Sequence, residues 1–129
     1  MEKHILVVDD ERDIRELVAG VLEDEGYSTR NAADSDSALE AIADRRPSLV
    51  LLDEPCAGVN PSLVGGISTL LKDLNKTRKG SFVVIEHNMD FVMDLCHRIM
   101  VMVEGQVLAI GTPEEIRANK QVLDAYLGN

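Results

Sequence analysis

The sequence predicts an α/β protein built on a doubly wound parallel sheet. Three observations carry that expectation. Short apolar runs alternate with longer stretches of helical periodicity, so strands and helices take turns along the chain. The runs Ile5–Val8, Leu49–Leu52 and Phe82–Ile85 are apolar throughout, the pattern of strands covered on both faces. Asp9, Asp10, Asp53, Glu54, Glu86 and His87 stand where those runs end, and sheets of this kind bind ligands at the carboxyl ends of their strands.

Each element has a local reason. After Ile5–Val8, a helix carries Ile14, Leu17, Val18, Val21 and Leu22 on one face, and Gly26 ends it as a left-handed cap. Tyr27–Asn31 reads as a short second strand. Asp34 or Ser35 caps a helix bearing Ala38, Leu39, Ala41 and Ile42, which Pro47 closes. Leu49–Leu52 is the third strand and ends at Asp53. Pro61 suits the first turn of the next helix, which carries Leu63, Val64, Ile67, Leu70, Leu71 and Leu74. Gly65 and Gly66 weaken that helix by about 1 kcal/mol each relative to Ala, and Gly80 stops it. Phe82–Ile85 is the fourth strand, Asn88 caps a short helix to about Leu95, and Ile99–Val103 is the fifth strand. Glu104-Gly105 then makes a tight turn, and Val107–Ile110 returns antiparallel. Thr112-Pro113-Glu114-Glu115 is a capping box with proline at the first helical position. One or two short helices run on to Leu127.

The 129 residues suit one domain, with 45% apolar and 28% charged side chains. Aromatics make up 3% and Trp is absent, so the core must be aliphatic. The net charge is −10, of which residues 1–53 hold −8 (14 acidic, 6 basic) and residues 54–129 hold −2 (9 acidic, 7 basic). Such a chain repels nucleic-acid backbones and anionic lipid. No run approaches a membrane span or a signal peptide. Cys56 and Cys96 are expected as free thiols in a reducing cytoplasm, with Cys56 a loop thiol lacking an activating base.

Residues 1 to about 50 resemble the first part of a bacterial response-regulator receiver domain of the nitrogen-regulation type. The matching text is Ile5-Leu6-Val7-Val8-Asp9-Asp10-Glu11, then Ile14-Arg15, then Asp34-Ser35-Asp36-Ser37-Ala38-Leu39. That resemblance implies Asp9 and Asp10 as Mg²⁺ ligands and Asp53 as phosphoryl acceptor. Residues from about 47 to 129 resemble the C-terminal part of an ATP-binding cassette subunit of the branched-chain amino-acid transport type. Leu51-Leu52-Asp53-Glu54-Pro55, Ala57-Gly58-Val59-Asn60-Pro61, Val84-Ile85-Glu86-His87-Asn88-Met89 and Met102–Pro113 carry that match. It implies Asp53 as the Mg²⁺-orienting carboxylate, Glu54 as the water-activating base and His87 as the switch histidine. The join falls within Arg46–Asp53.

Both patterns are incomplete. Within these residues there is no G-x-x-x-x-G-K-[ST] loop to cradle a triphosphate, and no Ser-Gly-Gly-Gln signature. Where the receiver pattern wants a hydroxyl after the fourth strand and a lysine after the fifth, this chain has Glu86-His87 and Glu104-Gly105. Bland readings stand beside these. Glu54 and His87 are remnants without a substrate, the three aspartates are carboxylates left at a strand edge, and His4 and His97 are solvated or structural. The methionines fill gaps in the core.

The expectation is therefore a flavodoxin-like three-layer αβα sandwich of strand order 2-1-3-4-5, with an antiparallel edge strand and a C-terminal helix. It forms a single domain over residues 1–129. Functionally it is expected to be an engineered chimeric scaffold with no catalytic activity. The alternative is an Mg²⁺-dependent receiver accepting phosphate on Asp53. No cofactor is required; weak Mg²⁺ at Asp9, Asp10 and Asp53 is the one ion the residues suit. No nucleic acid, membrane or ATP is expected as partner. A monomer is expected, with dimerisation or strand exchange through an open sheet edge as the rival state.

Overall fold

The computed structural model describes residues 3–78 and 80–126; Met1, Glu2, Lys79 and Leu127–Asn129 lie outside them, and with them the expected end of the last helix at Leu127. In chain order the elements are β1 (His4–Val8), α1 (Arg12–Asp24), β2 (Ser28–Ala32), α2 (Ser35–Asp44), β3 (Leu49–Asp53) and α3 (Pro61–Arg78). They continue with β4 (Phe82–Ile85), α4 (Met89–Leu95), β5 (Ile99–Val103), β6 (Gln106–Gly111), α5 (Pro113–Ala118) and α6 (Lys120–Tyr126). Contacts gather the chain into two compact units, Met1–His87 and Asn88–Asn129. The boundary lies well beyond Arg46–Asp53, where the two sequence resemblances meet.

The first unit is a parallel sheet of order β2-β1-β3-β4. The order reverses direction after β2, so right-handed crossovers put α1 on one face and α2 and α3 on the other. Leu6 and Val8 pair with Val50 and Leu52 in register, and Val50 pairs with Phe82. These residues share the α2 face. There Leu6, Ala32, Ala38 and Val50 form a buried cluster flanked by Ile42, Leu52 and Phe82. Ile5 and Val7 are buried on the opposite face. The α1 stripe is only partly used. Ala19 is buried, while Leu17 and Val21, expected to face the core, are exposed.

Local chemistry sets the ends. Asp34 accepts the Ser37 amide at 2.8 Å and closes a capping box on α2, and that bond holds its carboxyl below the usual range. Gly26 takes φ 92°, a left-handed conformation in which a Cβ is strained. His4 is a buried structural residue. Arg30 Nε donates to His4 Nε2 at 2.8 Å, and its other nitrogens donate to the Ala41 and Arg45 carbonyls. One cation thus ties β1, β2 and the C-terminal end of α2 together.

The expected order 2-1-3-4-5 is corrected in its last place. Among the described residues, β4 is the edge of the parallel sheet, and β5 pairs with β6 in a separate two-stranded antiparallel sheet. The expected antiparallel strand is therefore present, but as the partner of β5 in its own ribbon. The cause is local. Glu104 and Gly105 both take positive φ (51° and 77°), the conformation of a primed two-residue hairpin turn. Closing so short a loop costs little entropy compared with a distant strand pairing.

The second unit has its own core of Val92, Ile99, Val101, Ile116 and Val122. β5 alternates, with Ile99 and Val101 buried and Met100 and Met102 exposed. Asn88 caps α4 by accepting the Phe91 amide at 3.1 Å. Thr112 and Glu115 form the expected capping box, with Pro113 in the first turn of α5. Among the described residues, no helix is long and apolar enough to cross a membrane.

Candidate functional site: a carboxylate cleft

The parallel register of β1 on β3 decides the site. Val8 lies beside Leu52, so the next residues, Asp9 and Asp53, emerge side by side at the carboxyl ends of their strands. Asp9 is buried, with 8% of its surface exposed. Its Oδ1 accepts the Glu11 amide at 2.9 Å, and its carbonyl accepts Arg15 Nη1 at 2.8 Å. Asp53 is pushed up to about 6 from the ordinary 3.8. Burial is the largest cause, followed by the hydrogen bond to Asp9 and then the charges of Asp9, Glu54 and Glu86. Every charge acting on it is negative. Asp10 is exposed.

The turn after β3 brings the second set of residues together. Glu54 takes φ 48°, a left-handed conformation uncommon for a side chain of its size. Its amide donates to the Ile85 carbonyl at 2.7 Å, which locks the loop to β4. Glu54 Oε1 lies 3.0 Å from His87 Nδ1, so residues 33 apart in sequence meet, with both side chains half or more exposed. Glu86 is the opposite case. Only 2% of its side chain is exposed, and it accepts the Cys56 amide at 3.0 Å and the His87 amide at 3.1 Å. Burial, then the Glu86 charge and hydrogen bond, push the Cys56 thiol up to about 11. The thiol stays protonated at neutral pH and is a poor nucleophile. Burial also raises the Cys96 thiol.

The structure thus brings Asp9 to Asp53 and Glu54 to His87. Among the described residues, no three His, Cys, Asp or Glu side chains converge closely enough to grip an ion. An all-oxygen pair still fits the chemistry of Mg²⁺, which takes few carboxylates and keeps its waters. A divalent charge would also relieve the repulsion that holds Asp53 high. The residue that sequence reasoning undervalued is Glu86. Its place directly after β4 was visible; its burial against the Cys56 amide was not.

The raised Asp53 value has a direct consequence for stability. The folded state binds this proton more tightly than the unfolded chain does. Its stabilisation is complete below the ordinary aspartate range and is lost as pH rises through about 6. A two-unit shift would correspond to ~3 kcal/mol, and solvent screening of this partly exposed group reduces it to about 1 kcal/mol. Asp53→Asn is therefore expected to add about 1 kcal/mol at roughly pH 8 and nothing by about pH 4. Urea denaturation at both values checks this; an equal gain at both contradicts it.

Comparison with known proteins places this geometry. Residues 5–85 match the response regulator receiver domain family, and residues 106–129 match a branched-chain amino acid ATP-binding cassette transporter family. The nitrogen assimilation regulatory protein NtrX of Azorhizobium caulinodans is 64% identical over 53 residues, covering 41% of this chain and 12% of that protein. The high-affinity branched-chain amino acid transport ATP-binding protein LivG of Salmonella typhimurium is 39% identical over 112 residues, covering 84% of this chain and 44% of that protein. The chain thus spans less than half the length of these curated relatives. Among solved structures, the response regulator TrrA of Thermotoga maritima in complex with Mg²⁺-BeF superposes with a TM-score of 0.57 at 29% identity. The match covers 72% of this chain and 76% of that one. The receiver match runs through β4, further than the resemblance to about residue 50, and the two matches along one chain are consistent with a fusion of two parts.

Proposed function

The chain belongs to the response regulator receiver domain family, and from that premise we propose that it is a fused α/β scaffold whose receiver site no longer transfers phosphoryl groups. The join of receiver and transporter parts is read as a deliberate construction. The observation that carries the proposal is the one-signed field at Asp53: burial, Asp9, Glu54 and Glu86 all disfavour its charged form. A phosphoryl group would bring more negative charge to the same spot. Catalysis of that transfer depends on donors and cations aimed at the oxygens, and one missing donor costs a few kcal/mol. Glu86, with its nearly buried carboxylate, occupies the neighbourhood where the family pattern puts a hydroxyl.

Asp9 and Asp53 are the pair that would hold Mg²⁺; the expected third ligand, Asp10, is exposed and forms no three-carboxylate cluster with them among the described residues. Bound there, the ion would neutralise charge on the carboxylates and on an incoming phosphoryl group. This chain's own residues orient the site: Arg15 holds the Asp9 carbonyl, and the Glu11 amide fixes the Asp9 carboxylate. The transporter part contributes no turnover in this reading. Glu54 and His87 meet at an exposed position, and the residues contain no phosphate-cradling loop. The protein works as a monomer in a reducing cytoplasm, without nucleic acid, membrane or ATP.

A second reading, a working phospho-accepting receiver, is favoured by family membership and by the place of Asp53 at the end of β3. TrrA, which carries Mg²⁺-BeF in its crystal, sets the standard for that reading. Incubation with acetyl phosphate and Mg²⁺, followed by intact-mass measurement, separates the two. The proposal expects no phosphoryl adduct. An adduct on Asp53, absent from Asp53→Asn, would establish the receiver reading in its place.

A further inference from the structure

A cleft of about 390 Å³ lies in the first unit between α2, the sheet and α3. Its volume falls in the range of small-molecule sites, roughly 300–1,000 Å³. Its walls are aliphatic or aromatic: Ile42 of α2, Val50 and Leu52 of β3, Leu70 and Leu74 of α3, and Phe82 of β4. Asp9, Asp10 and Asp53 line it as well. The parallel register fixes where these groups lie. Val50 is level with Phe82, and Asp53 is level with Ile85 at the strand ends. The cleft therefore runs from an apolar end to an acidic end over three residue steps, ~10 Å at the rise of a strand.

We propose that this cleft binds a small amphipathic cation, with an apolar body along β3 between α2 and α3 and an ammonium at Asp9 and Asp53. Charge selects the occupant. No lysine, arginine or histidine lines the cleft among the described residues, so a fatty acid or an aryl phosphate finds no cation there and faces the carboxylates of Asp9, Asp10, Asp34, Asp53 and Glu54. A neutral hydrophobe would strip water from Asp9 and Asp53 without replacing it, which is costly for ionised groups. An ammonium replaces that water with charge-assisted hydrogen bonds, while the apolar body removes the hydrocarbon walls from water. The proposal uses the carboxylates as charges only, so it stands whether or not Asp53 accepts a phosphoryl group.

Three probes with the same body and different heads test it: phenylbutylamine, phenylbutanol and phenylbutanoate, titrated into the full chain by calorimetry. The amine is expected to bind saturably and at least about tenfold more tightly than the alcohol, the scale of a hydrogen-bonded charge. The carboxylate is expected not to saturate. Mg²⁺ should weaken the amine, and Asp53→Asn should reduce its affinity about tenfold. Leu70→Trp, at a half-exposed helix position lining the cleft, should block the amine by filling the space while leaving the melting transition in place. Absence of saturable amine binding, equal affinity for all three probes, or full amine affinity in Asp53→Asn would each overturn the proposal.

Discussion

Leu6→Ala is expected to lower the stability of the first unit by ~3 kcal/mol. Leu6 has no exposed surface and is, with Ile116, among the largest fully buried side chains of the described residues. It sits in the central part of β1, between β2 and β3, so both neighbouring strands hold its backbone. Its side chain enters the cluster with Ala32, Ala38 and Val50, in which two of the three partners are alanines. Small partners cannot reach across to refill the space, so the cavity left by truncation persists and its cost adds to the lost transfer energy. Urea denaturation of the whole chain, followed by circular dichroism, should show the midpoint fall with little change in slope. A loss below about 1 kcal/mol would mean that β1 is not the centre of this core.

Ile116→Ala should have a comparable effect on the second unit, ~3 kcal/mol, read in a different way. Ile116 is 1% exposed and belongs to the cluster with Ile99 and Val101 of β5 and Val122 of α6. α5 is only six residues long and its helix is marginal alone. The Thr112 cap and this one side chain hold it in place. Without Ile116, the amides of the β5–β6 ribbon should exchange with solvent about a hundredfold faster, the factor that corresponds to a loss of this size. Unchanged protection at Val101 and Ala109, which face each other in the ladder, would contradict the assignment of one shared core to this unit.

Much of this architecture was legible in the residues, for identifiable reasons. The strands β1, β3, β4 and β5 announce themselves as unbroken apolar runs, and the caps at Asp34, Asn88 and Thr112 fix three helix starts. The hairpin partner of β5 was legible in the Glu104-Gly105 turn; its separation from β4 was not. Ile99-Met100-Val101-Met102-Val103 is apolar at every position, and methionine reads as core in a sequence yet stands exposed here at positions 100 and 102. An apolar run states that a strand forms; it does not name the strand beside it. The hairpin signal at Glu104-Gly105 was the better guide, because a short turn specifies its own pairing.

The site shows the same division. Asp9 and Asp53 could be placed together from sequence, since adjacent parallel strands deliver their next residues to the same edge. The meeting of Glu54 with His87 depends on a left-handed residue at position 54, and glutamate gives no hint of that conformation. The burial of Glu86 depends on the amides of Cys56 and His87, and backbone donors leave no mark in a sequence.

The most direct measurement is the titration of the Asp53 side-chain carboxyl by carbon NMR, in the chain and in Glu86→Gln. A midpoint at about 6, shifted down by a small part of its displacement when the Glu86 charge, the last of its causes, is removed, is the result that a field of one sign requires. A midpoint near the ordinary value in the unaltered chain would mean that burial and the neighbouring carboxylates do not disfavour the Asp53 charge, and the reading of a silenced receiver would not survive it.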